Sequence, residues 1–497
     1  MADVFTLAAY GDGGSSIGQT SNTLDTGDLR RRYNFGDRVS ELAIAQDPFF
    51  RMVSKLSKKP CDDPQFKFTE RRPSFHKRYA YVVLGGDSDY SDALASTLAN
   101  CLTAGDAIKL RMGTDYASAG NLSNVYGNTI DYAVGDSGTY PEFFLQGQLL
   151  RVPISSAANA GADEETYSDY IVAFVDKVTT NGEYADLDLT VKRGSSQTEG
   201  SSYWMGPPSS VAVGATATSS ASQETLEKNR CYVVGSAFEQ GSGYPETWKD
   251  QPFSTSYGNT QIWKTAMAMD NTTRATVLKF ESNEWARIWR EKLIEHKWDI
   301  EQSLLWNSQS STASTAWTTD GCINYISAYG NQFTLPTATK TQDSFLDDMS
   351  AFLDPRYNNA NATVFFVGTE VYNWLHKLSG YFQNNLETSP NIRADMALSG
   401  KKKVFGVDIT VISTPYGDMN VARNIHLDGS DIGILAVNMK YCSYRPLVGN
   451  GLNRDTAIYV GVQTLENSGV DRRVDLIQTE AGLEMQMPES HAIWTKS

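Results

Sequence analysis

The sequence predicts an α+β protein in which one long helix and several groups of strands share the chain. Apolar residues alternate with polar ones over 261–269, which predicts a strand, and Asp270 with the residues after it predicts a turn into a returning strand at 274–280. A helix without internal proline follows at 284–306. Short β-prone runs separated by polar loops fill residues 79–232. Strands and helices segregated along a chain are typical of the α+β class.

The helix at 284–306 carries an apolar stripe at helical spacing. More than twenty residues at 1.5 Å each make a rod of about 35 Å. A helix of this length beside strongly apolar strands needs a neighbouring surface to cover it. The segment therefore favours an assembling protein over an enzyme. The stripe consists of Trp285, Trp289, Leu293, Ile300 and Leu304.

The N-terminal part combines a polar leader with a basic segment. Residues 1–28 are rich in Gly, Ser, Thr and Asp, and residues 28–78 hold thirteen Lys and Arg against seven Asp and Glu. The rest of the chain is acidic, since the net charge is −15. We expect a helix at 37–58 broken by Pro48, and then an extended stretch at 66–72. Apolar residues between the bases favour an arm that packs on an acidic neighbouring surface over a nucleic-acid tail.

The C-terminal part predicts a second group of helices and strands. A helix within 334–355 and a buried strand followed by a helix at 362–375 form a βα arrangement. A strand pair is expected at 401–412, where Lys401–Lys403 are interpreted as a solvated edge that discourages unwanted pairing. Further strands are expected at 433–438, 459–462, 473–478 and 482–487.

Cysteine usage and hydropathy limit the setting of the protein. The five cysteines are odd in number and never form a CxxC pair, which disfavours structural zinc and a disulfide framework. The N-terminus carries an acid where a Sec signal needs a base. No apolar window approaches the roughly 20 residues that span a bilayer. We expect reduced thiols, no Sec-type export and no membrane partner.

Short motifs in the sequence resemble catalytic or metal sites but lack the other residues that such sites require. Gly135–Gly138 copies a serine-protease motif, but His76 is the only upstream histidine, and turn chemistry explains the motif better. Gly14–Gly18 matches a nucleophile elbow inside the polar leader. Asp87–Asp92 begins like a calcium loop without completing it. The sequence therefore predicts no enzyme, no metal and no cofactor. One alternative stays open: a secreted β-rich carbohydrate-active or carbohydrate-binding protein, since paired carboxylates leave no local signature.

Several phrases in a fixed order resemble a known family. They are 234–244 (VGSAFEQGSGY), 259–263 (NTQIW), the strand and long helix after it, and 479–488 (TEAGLEMQMP). Their succession, behind a basic arm and a β-rich stretch, resembles the major capsid proteins of tailed bacteriophages, in the branch with a β-rich insertion. The resemblance implies an HK97-like capsid fold with an N-terminal arm, an extended β-hairpin loop, a long spine helix and an axial βα domain.

The resemblance also implies a domain organisation. In chain order it comprises an N-terminal arm at 1–78, a β-rich insertion domain with strands of the peripheral domain at 79–235, an extended loop at 236–280, the spine helix and peripheral domain at 281–335, an axial domain at 336–440, and strands returning to the peripheral domain at 441–497.

A capsid subunit of this kind is expected to form hexamers and pentamers of an icosahedral head that encloses double-stranded DNA without sequence-specific contacts. The net charge of −15 agrees with a container that does not bind its genome tightly. Expected partners are other copies, a portal, a scaffolding protein and decoration proteins, with assembly in the host bacterial cytoplasm and a final location in the virion. The candidates for contacts between subunits are Arg30, Arg31, Arg32, Phe49, Phe50, Trp263, Lys264, Met267, Arg274, Trp285 and Trp289.

Overall fold

The structure is a computed structural model, which describes residues 47–71, 79–86, 90, 103–113, 116–117, 121–122, 130–131, 143–156, 169–180, 185–194, 203–204, 216–217, 231–245, 254–277, 283–310, 316–353, 363–385, 397–404 and 406–496. Helices and strands both occur throughout these residues, which confirms the α+β class. None of the described helices has both the length and the apolar character needed to cross a bilayer.

The described helices, in chain order, are α1 (Pro48–Leu56), α2 (Asn271–Ala275), α3 (Glu284–Trp306), α4 (Cys322–Tyr329), α5 (Gln342–Phe352), α6 (Thr369–Asn385) and α7 (Leu465–Ser468). Short 3-10 turns are formed by Ile425–Leu427 and Pro488–Ser490.

The described strands fall into two halves of the chain. Those of the first half are β1 (Gln65–Glu70), β2 (Tyr79–Gly86), β3 (Ala107–Gly113), β4 (Tyr116–Ala117), β5 (Asn121–Leu122), β6 (Ile130–Asp131), β7 (Gln148–Ser156), β8 (Asp169–Thr180), β9 (Ala185–Arg193), β10 (Tyr203–Trp204), β11 (Thr216–Ala217) and β12 (Cys231–Ser236). Those of the second half are β13 (Ser254–Asn259), β14 (Gln261–Asp270), β15 (Asn331–Thr334), β16 (Thr363–Val367), β17 (Ala397–Val404), β18 (Val407–Thr414), β19 (Gly417–Arg423), β20 (Ile432–Asn438), β21 (Cys442–Pro446), β22 (Val448–Gly449), β23 (Leu452–Asn453), β24 (Ala457–Gln463), β25 (Arg472–Met485) and β26 (Ala492–Thr495).

Helix α3 confirms the predicted rod, with the predicted first and last residues. Asn283 caps it by accepting a hydrogen bond from the Ala286 N–H at 3.2 Å. The apolar stripe is only partly covered, because Ile300 and Leu304 are buried whereas the three stripe residues of the N-terminal half are half-buried. The C-terminal half of α3 therefore anchors the helix in the core.

Strand β14 confirms the predicted alternation, but the predicted hairpin is wrong. Every second side chain from Trp263 to Met269 is buried and the side chains between them are exposed. Residues 271–275 form the short helix α2, so the expected returning strand does not begin at 274, and its residues 278–280 lie outside the described residues. The strand that pairs with β14 is β25, which lies some 200 residues further along the chain. Alternation predicts which face of a strand is buried and says nothing about its pairing partner.

A seven-stranded mixed sheet forms the centre of the second half. Its strand order is β15–β26–β20–β16–β19–β18–β17. Strand β16 is buried on both faces, as predicted: Val364 and Phe366 belong to one core cluster, and Phe365 and Val367 belong to another. The first core lies between this sheet and α3, and the second lies beneath α5 and α6. A continuous apolar run is typical of such a doubly covered strand.

The elements around this sheet agree with the sequence in most respects. The βα arrangement is confirmed, since α6 follows β16 after one glycine. The helix expected within 334–355 is α5, whose apolar side chains are buried. Strands β17 and β18 form the expected antiparallel pair, and β17 is the outermost of the described strands in the sheet order. Lys401–Lys403 lie exposed on β17, which confirms the interpretation as a solvated edge.

Pro48 begins a helix rather than interrupting one. It occupies the first turn of α1, where its missing N–H removes no helical hydrogen bond. The upstream part of the expected helix at 37–58 lies outside the described residues. Phe49, Met52 and Val53 join the core between α3 and the seven-stranded sheet. This described part of the N-terminal arm therefore packs on the body of its own chain.

The C-terminal segment contributes to two sheets. The two strands expected at 473–478 and 482–487 lie in one continuous strand, β25, which runs through Thr479–Ala481 and ends at Met485. The final strand β26 lies in the seven-stranded sheet, between β15 and β20. The C-terminal segment thus connects the seven-stranded sheet with a smaller sheet formed by β14, β21, β24 and β25. The domain boundaries given by the resemblance stay a prediction.

Six strands between Tyr79 and Ser236 form a closed antiparallel barrel. Going round, β2, β3, β9, β8, β7 and β12 each pair with the next, and β12 pairs with β2 again. Buried apolar side chains such as Leu110, Leu150 and Val175, all 0% exposed, fill the interior. Closure leaves no strand edge unpaired along the ring. The first and last strands are neighbours, so the chain enters and leaves the barrel side by side.

We expect residues 79–236 to fold when they are expressed alone, because the barrel has its own core and adjacent ends. The fragment should show a β-type circular dichroism spectrum and one cooperative denaturant transition. Leu110→Asp should abolish the transition, whereas Val234→Asp, at a side chain 60% exposed, should leave it unchanged. An unfolded wild-type fragment would contradict the independence of the barrel.

Candidate assembly surface

Strand β25 lies at the centre of a small antiparallel sheet that carries the candidate surface. Along one side it pairs with all ten residues of β14, from Gln261 opposite Ala481 to Asp270 opposite Arg472. Along the other side its first half pairs with β24 and its second half with β21. The buried side chains of β14 face α3, so this sheet has a covered face and a free outer strand, β24.

The outer strand and the turn after it form the apolar ribbon, which we define as residues 457–471. All of its large apolar side chains are exposed, including three successive residues of β24 that must point to both faces of the strand. A contiguous exposed apolar surface is typical of an interaction site. The exposed fractions are 50% for Ile458, 43% for Tyr459, 65% for Val460, 46% for Val462, 53% for Leu465 and 48% for Val470.

One buried carboxylate holds the ribbon against the rest of the sheet. Asp475 accepts hydrogen bonds from the Gly461 N–H at 2.7 Å, from the Arg473 guanidinium at 3.0 Å and from the Trp289 indole at 3.3 Å. Burial alone would raise the pKa of Asp475, but these donors hold it below its usual value. Gly461 has φ of +68°, which a residue with a side chain rarely adopts, so the bulge of β24 requires glycine. Asp475 thus joins β24, β25 and α3.

A buried histidine fixes the same sheet to the long helix. His296 of α3 lies between two hydroxyls, with Nδ1 at 2.8 Å from Thr265 Oγ1 on β14 and Nε2 at 2.8 Å from Thr479 Oγ1 on β25. Burial lowers the pKa of His296, which keeps the imidazole neutral at pH 7. A neutral ring donates from one nitrogen and accepts at the other, and the two hydroxyls suit both roles.

A second buried carboxylate joins the N-terminal helix to α3. Glu301 Oε1 accepts hydrogen bonds from the Phe49 N–H at 3.1 Å and from Asn424 Nδ2 at 2.8 Å, and Oε2 accepts one from the Phe50 N–H at 2.6 Å. The side chain of Asp47 makes no cap hydrogen bond to α1, so Glu301 supplies the cap from another helix. Burial raises the pKa of Glu301 to about 7 against the lowering effect of these donors.

Three of the predicted contact residues are buried within the subunit. Phe49 is 0% exposed and packs edge-on against Phe366 with ring centroids 5.5 Å apart. Trp263 and Met267 are 6% and 3% exposed, because they lie on the face of β14 that α3 covers. Phe50 packs against Tyr444 and is half-buried. The first three side chains have almost no area with which to touch another subunit, so we correct that part of the prediction.

The remaining candidates lie where a neighbour can reach them, or outside the described residues. Lys264 and Arg274 are exposed, on β14 and α2. Trp285 and Trp289 are half-buried against β25, where the Arg473 guanidinium lies 5.2 Å from the Trp285 ring centroid. Arg30–Arg32 lie outside the described residues. For these candidates, contact between subunits stays a prediction.

Sequence reasoning missed the features that define the surface. The run AIYVGVQ at 457–463 is apolar at successive positions, which predicts a strand buried on both faces, yet both faces are exposed. Gly461 in the middle of the run was the available signal of a bulge. The local sequence contains no sign that Asp475 and Glu301 are buried hydrogen-bond acceptors, because most of their donors come from distant parts of the chain.

The sequence predicts no metal site, and the motifs that resemble catalytic sites lie almost entirely outside the described part of the chain. These residues contain no group of three or more His, Cys, Asp and Glu side chains that could hold a metal. The motif-like segments at 14–18, 87–92 and 135–138 belong to the residues that the structure does not describe, apart from Tyr90, whose hydroxyl donates to Asp188 at 2.6 Å.

An exposed apolar surface with no cover among the described residues is typical of an interaction site. Comparison with protein families agrees with this interpretation. The model of the SU10 major capsid protein family matches residues 16–496, nearly the whole chain. The chain belongs to this family and is a structural component of a viral capsid. The resemblance to major capsid proteins is therefore confirmed.

Solved structures similar to this chain include capsid and encapsulin shells. A structure from Gordonia phage Cozz covers 52% of this chain and 77% of its own, with 11% identity and a TM-score of 0.33. The capsid of cyanophage P-SCSP1u covers 53% and 80%, with 10% identity and a TM-score of 0.34. The SrpI encapsulin of Synechococcus elongatus covers 49% and 76%, with 9% identity and a TM-score of 0.35. The family assignment rests on the sequence match.

The curated proteins contain no match to this chain. The family match leaves the carbohydrate-active alternative without support, because it assigns nearly the whole chain to capsid proteins.

Proposed function

We propose that copies of this chain assemble through the apolar ribbon into the hexamers and pentamers of an icosahedral head that encloses double-stranded DNA. The observation that carries the proposal is the exposure of all six large apolar side chains of residues 457–471. Membership of a major capsid protein family supports a neighbouring copy as the cover for this surface.

The free energy of burying apolar side chains favours assembly through the ribbon. Complete burial of a Val, Leu or Ile side chain contributes about 1.5–3 kcal/mol relative to its exposure. Six half-exposed side chains supply a substantial part of one subunit contact, although association costs part of that gain. Asp475 anchors the ribbon and His296 anchors the sheet beneath it, both within the subunit, so the surface is preorganised before it meets a neighbour.

The charge of the subunit supports a container for DNA. With a net charge of −15, the chain lacks the excess of Lys and Arg that sequence-independent DNA binding requires. A net acidic subunit repels the phosphate backbone, which keeps a packaged genome mobile. We infer that the protein is not an enzyme, that it assembles in the host bacterial cytoplasm, and that its partners include a portal, a scaffolding protein and decoration proteins.

We expect Val460→Asp combined with Leu465→Asp to prevent shell formation and to leave the subunit folded. Both side chains are more than half exposed, so the changes should alter the free energy of unfolding by only about 0.5 kcal/mol each. Losing two apolar contacts of about 1.5 kcal/mol each should weaken a subunit contact by about 100-fold. Electron microscopy and sedimentation of the purified variant would measure assembly, and thermal unfolding would measure folding.

Val234→Asp is the matched control, because this valine is 60% exposed on strand β12 of the barrel. The control variant should form normal shells. Normal shells from the double variant at wild-type concentration would show that the ribbon does not carry assembly.

A further inference from the structure

A basic cavity of about 450 Å³ opens between α1 and the edge of the seven-stranded sheet. Its cationic lining comes from three elements that are distant in the sequence. The lining cations are Arg51 of α1, Lys401, Lys402 and Lys403 of β17, and Arg423 at the end of β19. The wall also carries Tyr372, whose hydroxyl lies 2.9 Å from Thr410 Oγ1.

The cavity carries more positive charge than its own carboxylates neutralise. Asp47 and Asp408 also line it, and they pair with Arg51 and with Lys403, the latter at 3.8 Å. Arg423 donates to the hydroxyl of Thr369 at 3.0 Å. Lys401 and Lys402 form no ion pair with the described carboxylates and are exposed. A net excess of three cations on a chain of net charge −15 makes this cavity attractive to an anion.

The size and composition of the cavity favour carboxylates over a nucleic acid. A volume of this order fits a small molecule or a few side chains, whereas a duplex needs an open surface. Three of the five lining cations are lysines, whose ammonium groups act as mobile point charges, and Arg51 is already paired with Asp47. An acidic peptide segment is therefore the better match.

The apolar ribbon carries such a segment. At its turn, Glu466 and Asp471 are exposed and flank the exposed Leu465 and Val470. Asp471 accepts one hydrogen bond from Asn271, and Glu466 forms no ion pair with the described cations. Two carboxylates beside two uncovered apolar side chains need a partner that offers both cations and apolar surface. The cavity offers the cations, and the largely buried Pro48, Val407 and Ile409 form the apolar part of its wall.

We propose that the basic cavity receives the acidic turn of the ribbon, residues 464–471, from a second copy of the chain. This inference rests on the proposed function and specifies its contact. The apolar side chains supply burial, while the carboxylates set register and speed association through charge complementarity.

The test is a charge swap between two surfaces of the full chain. Lys401→Glu with Lys402→Glu should raise the subunit concentration needed for assembly at least about tenfold, equivalent to about 1.4 kcal/mol per contact. Glu466→Lys with Asp471→Lys should have a similar effect. The four changes together should restore most of the lost assembly. Lys177→Glu with Lys192→Glu, at exposed lysines of the barrel, is the charge-matched control and should assemble normally.

A binding measurement separates this inference from the proposed function. A fluorescent peptide of residues 462–473 should bind the wild-type chain and lose at least about tenfold in affinity on the Lys401→Glu, Lys402→Glu variant. Inorganic phosphate and a short DNA duplex serve as competitors. Wild-type assembly of the lysine variant, absence of rescue in the swap, or tighter binding of the duplex than of the peptide would each overturn the inference. Failure of the wild-type chain to assemble would contradict the proposed function, and the peptide would still decide whether the cavity binds the turn.

Discussion

Replacing Trp494 by alanine is expected to lower the free energy of unfolding by about 3–5 kcal/mol, the range for removing a buried aromatic side chain. Trp494 is 0% exposed in strand β26 and lies at the centre of the core beneath α5 and α6. Its ring stacks on Phe333 with centroids 4.8 Å apart and meets Phe352 edge-on at 5.5 Å. Alanine would remove the contacts of Trp494 with these two rings and create a cavity beside them.

The substitution would also remove a buried hydrogen bond. Trp494 Nε1 donates to Asp348 Oδ2 at 3.1 Å, and Asp348 also accepts from Lys340 at 2.7 Å. Trp494→Phe should therefore be milder than Trp494→Ala, because the ring contacts remain while the donor is lost. Urea unfolding followed by circular dichroism would measure both changes.

Trp306→Ala is the control for the same change at the surface. This tryptophan is 42% exposed at the end of α3, so its removal should change the free energy of unfolding by less than about 1 kcal/mol. Equal effects of the two alanine variants would show that the core beneath α5 and α6 does not determine stability.

Glu301→Ala is expected to lower the free energy of unfolding by at least about 2 kcal/mol and to release helix α1. The variant leaves the Phe49 and Phe50 N–H groups and the Asn424 amide without their acceptor, and each orphaned buried group costs about 1–3 kcal/mol. The amides of 49–56 should then exchange with deuterium faster than those of α5. Glu295→Ala, an exposed position on the same helix, is the control.

Glu301 should also make stability depend on pH. Burial raises its pKa to about 7 from an ordinary value of 4.5, so the folded state binds the proton more tightly than the unfolded state. The stability that the group contributes is complete below about pH 4.5 and is lost as pH rises through 7. The difference in unfolding free energy between the wild type and Glu301→Gln, measured from pH 4.5 to 8, isolates this group. A constant difference would contradict the assignment.

Local features of the sequence were sufficient for most of the elements. The bounds of α3 follow from a run of good helix formers without Pro or Gly after the capping Asn283. The alternation at 261–269 follows from a strand with one covered face. The apolar run of β16 follows from burial on both faces. Each of these patterns depends on residues within a few positions of one another, so sequence reasoning could find them.

Pairings between distant residues were beyond local reasoning. The partner of β14 is β25 and not the residues after Asp270, because the chain there forms a helix and a complete strand is available from the C-terminus. The same limit explains why Phe49 was expected at the surface, since its burial depends on Phe366, more than three hundred residues away. The closure of the barrel likewise depends on β12 returning to β2.

The sequence by itself determined the class of the protein: an acidic α+β chain with a basic arm, a β-rich stretch, a long helix and a series of phrases typical of major capsid proteins. Only the tertiary structure decided which surface is free for assembly. Exposure is a property of the whole fold, so the apolar run at 457–463 could be classified only once β25 and α3 were in place beside it. Buried carboxylates such as Glu301 depend in the same way on donors brought together by folding.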